Sequence, residues 1–378
     1  MGTFHAYHAL QAGLRVALLE KDSQPIGATV RNFGQVVPSG LSSELQSYGR
    51  QSLDIYRSLE PILGDGFRRS GSLYIASNDA ESTLLHELRQ INRYNNYSSE
   101  LWNAATTLRN VPGIRPEYIR ESLFFPEEIS IDPRQTIHRV LRFLKEVLGL
   151  DYYPKRMAID LDPSSSCVKV RANTGETWQA DKVVVCSGSE FQALYPDLFC
   201  ESDIQLVKLQ MLETKPQHRL RFEPNILTGK TIRRYESFRE CDSYHAIKQA
   251  EPSMSFSREH GVHILFKQSA DGSVILGDSH EYAPVEEAGA LSYGSSNAIN
   301  IYLLEQAMRI MDLDTWEINR IWNGYYCQTA EAPVFRRTID ERIHICTGIG
   351  GKGMTMGPAF AKKNLQEIGV LPVASGQV

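Results

Sequence analysis

No stretch of this 378-residue chain approaches the roughly 20 apolar residues that cross a bilayer. Nor is there an excess of basic charge: 40 Lys and Arg against 45 Asp and Glu give a net charge of −5 and a pI near 6.1. Nucleic-acid binding therefore gets no electrostatic support. The first residues lack the basic segment, apolar run and small-residue cleavage site of a secretory signal. Cysteines are few and scattered, at Cys167, Cys186, Cys200, Cys241, Cys327 and Cys346. None forms a CxxC pair or a clustered Cys/His spacing, so no metal site is expected and reduced thiols are the simple reading. Internal repeats, low-complexity tracts and long charge runs are also missing. What remains is 42% hydrophobic and 22% charged, a globular composition, and the cytoplasm is the expected compartment. The length suggests about two or three domains.

The opening Gly2–Gly13 segment places Phe4, Tyr7 and Leu10 at helical spacing, with small Ala6 and Ala9 between them and Gly13 as a stop. Arg15–Glu20 follows as a short buried strand ending in an acid. Helix, turn and acid-ended strand are the second half of a βαβ unit. Further helices are expected over 41–65, 80–95, 132–148, 295–311 and 358–368. Asp132 is the N-cap of the third, with Pro133 at its first position. Strands are expected at 71–76, 168–171, 177–179, 182–186, 205–213, 261–266, 273–277 and 343–346. The turn Asn173-Thr174-Gly175-Glu176 joins two of them as a hairpin. The pattern predicts an α/β chain, α+β overall, with a nucleotide domain built from separated segments and a β-rich second domain threaded through it.

A βαβ dinucleotide site needs three glycines: for the tight turn, for close approach of the pyrophosphate, and for helix–strand packing. Only the third is available, as Gly2; Glu20, eighteen residues on, is placed for the adenosine ribose. The expectation is that the chain starts one strand late, with Met1 an internal methionine of the fingerprint. Many helices begin with Gly and many strands end in Glu, so an ordinary βα segment stands equal with this reading.

Gly27-Ala28-Thr29-Val30-Arg31-Asn32-Phe33-Gly34 resembles the segment that follows the acid in the D-amino-acid oxidase, glycine oxidase and sarcosine oxidase family. Small residues and exposed N–H groups there suit a pyrophosphate. Three more segments resemble the family in the same order: Ile131-Asp132-Pro133-Arg134, Asp181 through Gly188, and the glycine turn from Thr347 to Pro358. The resemblance spans the chain. It implies a Rossmann-like FAD-binding domain over 1–68, 125–200 and 328–378, and a β-rich substrate-binding domain over 69–124 and 201–327. It implies FAD contacts from Gly2, Glu20, Lys21, Ala28, Thr29, Arg31, Asn32, Phe33, Gly34, Met157, Ser187, Gly188, Gly350, Gly351, Lys352, Gly353, Met354 and Thr355. A helix N-terminus at the glycine turn would face the pyrimidine end of the flavin, where reduction places negative charge.

Many relatives carry Trp-x-Gly-x-Arg before this turn, the arginine gripping a substrate carboxylate. Here the segment reads Trp322-Asn323-Gly324-Tyr325-Tyr326, so that clamp is absent from its usual place. Lys208–Met211, Gly261-Val262-His263 and Gly277 through Tyr282 resemble a bacterial subgroup linked to aminophosphonate catabolism. The resemblance implies oxidation of a small amine to an imine and then an aldehyde, with O2 or another electron acceptor. Tyr326 and His280 are the catalytic candidates; Arg31, Asn32, His280, Gln268, Tyr326 and Gln328 are the substrate candidates. Cys327 lies where sarcosine oxidases tether flavin, though a free thiol is the plainer reading. Rival readings are an oxidase or demethylase of glycine, sarcosine or other amino acids, and an inactive, flavin-poor remnant.

Overall fold

The computed structural model describes residues 1–373 except 165, 292 and 293. The first helix, Gly2–Gln11, buries Phe4 and Leu10 of the expected face together with Ala6 and Ala9, while Tyr7 is only half-buried. The strand Ala17–Glu20 pairs in parallel with Asp151–Pro154, Glu20 lying opposite Pro154. A second parallel ladder joins Val183–Val185 to Ile343–Thr347, with Phe335–Ile339 antiparallel on the other side of the latter. Among the described strands these two ladders are not hydrogen-bonded to one another. Leu19 of the first and Val183, Val185 and Ile345 of the second nevertheless share one apolar cluster.

Helix Pro133–Glu146 starts as expected: Asp132 caps it by accepting from the Arg134 N–H at 2.9 Å, and Pro133 occupies a first-turn position that needs no N–H. Its apolar face meets the first helix and Ser43–Ser58 through Ile137, Val140, Leu144, Phe4, Leu53 and Tyr56. Two helix boundaries differ from the expectation. The helix expected over 41–65 stops at Ser58, and a separate turn, Glu60–Leu63, follows; Pro61 has no N–H to offer the Arg57 carbonyl. The closing helix, expected from Pro358, runs from Gly353 to Glu367 with Pro358 inside it. The strand expected at 261–266 is instead Leu265–Gln268. Residues before it are drawn aside, the Val262 N–H going to Ser257 and the His263 N–H to Asp278.

The remaining structure centres on a nine-stranded mixed sheet. Its longest pair is antiparallel, Gln205–Thr214 against Ile318–Gln328, with Val207 opposite Tyr326 and Gln205 opposite Gln328. The other edge of Gln205–Thr214 is shared by Glu281–Pro284 and Val274–Gly277. Asp278, Ser279 and His280 therefore form a corner between two strands that pair along one edge. The region from 205 to 278 also contains short helices at Gly229–Ile232, Tyr244–Gln249 and Phe256–Glu259, which the strand-rich expectation omitted. Among the described residues, no helix is long and apolar enough to cross a membrane.

Candidate active site

At the end of the first parallel ladder, the Glu20 carboxylate accepts from the Asp22 N–H at 3.0 Å, and burial raises its pKa. The neighbouring Tyr152 phenol is buried without a hydrogen-bond partner, and burial pushes it up to about 12. Met157 sits at the same end, its N–H on Asn173 Oδ1 at 3.1 Å, beside an Arg156 N–H that donates to the Glu20 carbonyl. Lys21 instead turns to Asp22, at 2.7 Å and near the surface. On the second ladder the Ser187 hydroxyl is buried and unpartnered. Gly188 has φ +65°, a conformation open to glycine without strain. The Tyr152 hydroxyl, near the Glu20 carboxylate, and the Ser187 hydroxyl on the second ladder are each buried and unsatisfied, which suits polar ligand atoms such as those of a ribose and phosphate chain. Gly2 is less constrained than expected: a Cβ there would meet Cys186 Cβ at 3.5 Å, an ordinary contact.

The segment after Glu20 is closed on itself. Asn32 donates to the Ala28 and Thr29 carbonyls, each at 2.9 Å, and accepts from the Gly34 N–H at 2.8 Å. Arg31 donates to the carbonyls of Ile26 at 2.8 Å and Asn323 at 3.2 Å, while its own carbonyl accepts from Trp322 Nε1 at 3.2 Å. Asn32 thus closes the loop and Arg31 docks it on the Ile318–Gln328 strand, engagements other than the substrate contacts expected of them. Gly34, at φ +72°, lies where a side chain would overlap the Ile131 carbonyl. Lys267 fixes the same place from the large sheet, donating to the Phe33 carbonyl at 2.7 Å and to that of Ile131. Its desolvation lowers the ammonium pKa to about 7.

The glycine turn meets the end of the long strand. Gln328 bridges to Ile349, and Gly350 takes φ +66° beside it. A Cβ on Gly351 would lie 3.5 Å from the Tyr326 hydroxyl. Tyr326 and Gln328 are two residues apart on one strand and so share a face. Burial pushes the Tyr326 phenol well up, keeping it protonated. Two expected cofactor contacts are engaged elsewhere: Lys352 pairs with Glu236 at 2.8 Å, and the Thr355 hydroxyl accepts from the Val37 N–H at 3.1 Å. Gln268, expected at the substrate, holds an internal loop by donating to Leu220 and Gly272 carbonyls at 3.0 Å and accepting from the Phe222 N–H at 2.9 Å. The Cys327 thiol is buried and donates to the Gly188 carbonyl at 3.1 Å. Desolvation raises its pKa, which opposes the thiolate a covalent flavin link would require.

Next to Tyr326 lies a cluster whose members come from three separate segments. His263 Nε2 and Asp278 Oδ1 are 2.7 Å apart, and both side chains are buried. Burial pushes the Asp278 carboxyl up, but the pull of His263, His280 and Arg234 outweighs it and holds it at about 2. His280 Nδ1 is 3.1 Å from the Gly261 carbonyl, so that nitrogen carries the proton and Nε2 the lone pair. Burial lowers the His280 pKa to about 3, keeping the ring neutral. The rings of His280 and Tyr326 are 6.4 Å apart. Arg234 donates to the same Gly261 carbonyl at 3.0 Å and to the Tyr282 hydroxyl at 2.6 Å. Among the described residues it has no carboxylate within 4.0 Å. His263, Asp278 and His280 also place ligand-capable atoms within 4.8 Å of one another. The 2.7 Å contact of His263 with Asp278 is shorter than the roughly 3.3 Å between two ligands of a tetrahedral zinc, a close approach of the two side chains rather than the edge of a metal site. The sequence motifs passed through His263 and Asp278 without giving them roles, and nothing in the sequence marked Arg234.

Residues 1–363 match the profile of the family described as DAO, FAD dependent oxidoreductase. None of the curated proteins compared matches the chain. Among solved structures, glycine oxidase from Geobacillus kaustophilus is similar with a TM-score of 0.78 at 15% identity, over 99% of this chain and 93% of that one. L-alpha-glycerophosphate oxidase from Mycoplasma pneumoniae, with FAD bound, gives 0.77 at 16% identity over 97% and 91%. Iminodiacetate oxidase from Chelativorans sp. BNC1 gives 0.70 at 17% identity over 100% and 94%. At these identities the structural matches establish the fold.

Proposed function

Because the chain belongs to the DAO family of FAD-dependent oxidoreductases, we propose that it oxidises a small anionic amine, best matched by an aminophosphonate. The observation that carries this reading is Arg234, whose charge reaches Asp278 without a salt bridge to it, beside the neutral His280 and the protonated Tyr326. The usual carboxylate-gripping arginine is replaced by Tyr326, and Arg234 restores a positive charge from a different element. Arginine presents a planar fork of donors suited to a tetrahedral oxyanion. Glycine, iminodiacetate and glycerophosphate, in the names of the similar structures, are all small molecules carrying an acid group.

FAD would be held by Gly2, Glu20, Ala28, Thr29, the backbone of Arg31–Gly34, Met157, Ser187, Gly188 and the Gly350–Thr355 turn. When bound it supplies the acceptor for a hydride equivalent. Arg234 and the Tyr282 hydroxyl bind the substrate oxyanion. Tyr326 and the His280 Nε2 lone pair orient the amine, and the half-buried Tyr235 and Tyr326 rings limit water on that side of the site. Oxidation leaves an imine, which water hydrolyses to an aldehyde and ammonia or a smaller amine. O2 or another acceptor completes the turnover.

The test is a substrate panel under anaerobic conditions, following flavin bleaching with 2-aminoethylphosphonate, its N-methyl derivative, glycine and sarcosine. Bleaching by the phosphonates at lower concentration than by the amino acids supports the reading. Bleaching by amino acids alone overturns the phosphonate assignment and leaves an amino-acid oxidase.

A further inference from the structure

We propose that Cys186 and Cys346 form a reversible disulfide, a redox-modification site between the two strands that end in the Ser187-Gly188 step and the Gly348–Gly351 turn. The parallel register places Val185 opposite Ile345. One residue on, Cys186 and Cys346 are neighbours on adjacent strands, with side chains on the same face. Adjacent strands lie about 4.8 Å apart, within the roughly 4.4–6.8 Å that a disulfide spans between Cα atoms. Both sulfurs belong to one small cluster with Val184, Ile349 and Phe360.

The two thiols have different tasks. The neighbouring Cys346 thiol, with His5, holds the Cys186 thiol well below its ordinary range despite burial. The His5 Nδ1 atom is 3.9 Å from that sulfur. Cys186 is half-buried, whereas Cys346 is 1% exposed. A small oxidant therefore meets Cys186 first. The oxidant is a hydroperoxide, with hydrogen peroxide as the simplest case. The Cys186 thiolate attacks one peroxide oxygen, the O–O bond breaks, and the leaving hydroxide takes a proton to become water. Cys346 then attacks the resulting sulfenic sulfur, forming S–S and releasing a second water. In sum, two thiols and one H2O2 give one disulfide and two waters.

Purified flavin-loaded protein treated with hydrogen peroxide, then alkylated and digested without reductant, reads this directly. The expected product is a peptide pair linking Cys186 to Cys346, lighter than its parts by two hydrogens and separated by dithiothreitol. In Cys346→Ser the link disappears and a sulfenic-acid probe labels Cys186. Free Cys186 and Cys346 after treatment, a sulfinic acid on wild-type Cys186, or a link through Cys167 or Cys200 overturns the proposal. The wild-type peptide map decides even where the variant folds poorly.

Discussion

The Tyr56 hydroxyl donates to the Met354 carbonyl at 3.1 Å, and that carbonyl is the one Pro358 deprives of its helical partner. The same repair continues along the closing helix. Ser52 accepts from the Ala359 N–H at 3.1 Å and donates to the Met356 carbonyl at 3.3 Å. His8 Nε2 reaches the Pro358 carbonyl at 2.8 Å, and burial lowers its pKa to about 4, so the ring stays neutral. A proline inside the helix is thus tolerated because Tyr56, from the helix Ser43–Ser58, satisfies the carbonyl it frees.

Tyr56→Phe should cost about 1–2 kcal/mol, the price of one buried carbonyl left unpaired. Thermal unfolding checks this. In a Pro358→Ala background, where the helix regains its own N–H, the same change should cost less than half as much. Equal losses in both backgrounds would show that the phenol acts by packing alone.

Gly324→Ala should weaken flavin retention while leaving the far-UV circular dichroism intact. A Cβ at 324 would stand 3.1 Å from the Arg31 carbonyl, tighter than most real contacts. The loop holding Ala28–Gly34 must then lift from the long strand. Flavin remaining after gel filtration is the readout, and full retention by the variant refutes the close-docking argument.

Arg234→Gln should raise KM for a phosphonate-bearing amine roughly 10–100-fold, matching the ~1.5–3 kcal/mol of a charged hydrogen bond. kcat should change far less, because the oxyanion is bound equally before and during reaction. Steady-state kinetics on the aminophosphonate separates the two. A collapse of kcat at unchanged KM places Arg234 elsewhere in the reaction.

Glu128 sets a pH dependence of stability. It is fully buried, accepts from the Ser39 N–H at 2.7 Å and from Tyr97 at 3.1 Å, and burial raises its pKa to about 7. Between its unfolded value near 4.5 and about 7, the folded state binds the proton more tightly than the unfolded state. Its effect is therefore a loss of stability as pH rises through this window, on the order of 3 kcal/mol at most. Lys267 acts with opposite slope, but only from about 7 to 10.5, where the unfolded chain holds the extra proton. Glu128→Gln keeps an acceptor for Ser39 and removes the titration. Its melting temperature should exceed the wild type's at pH 8 and approach it at pH 5. A constant difference between the two pH values counts against the assignment.

Local chemistry made much of this legible before any coordinates. Asp132-Pro133 announces a helix start because cap and first turn are settled within three residues. The small-residue loop before Gly34 and the Gly350–Gly353 turn are similarly local. What stayed hidden was decided at a distance. Pro358 reads as a helix start unless Tyr56, far away in sequence, is known to cover the Met354 carbonyl. Lys352 reads as a free cation near a flavin until Glu236 is seen beside it. Arg234, His263 and Asp278 sit in three segments that only the strand corner unites, and no spacing between them carries a signal.

The contact between His8 and Pro358 spans 350 positions of chain. On the ribosome, at about 5–20 residues per second, the first helix would wait roughly 20–70 seconds for the closing helix to be made. Through that interval Phe4, Ala6 and Leu10 have no closing-helix partner, and neither ladder of parallel strands has its full set of covering helices. Part of the first helix's apolar face is therefore among the last surfaces of the fold to be covered as the chain is made.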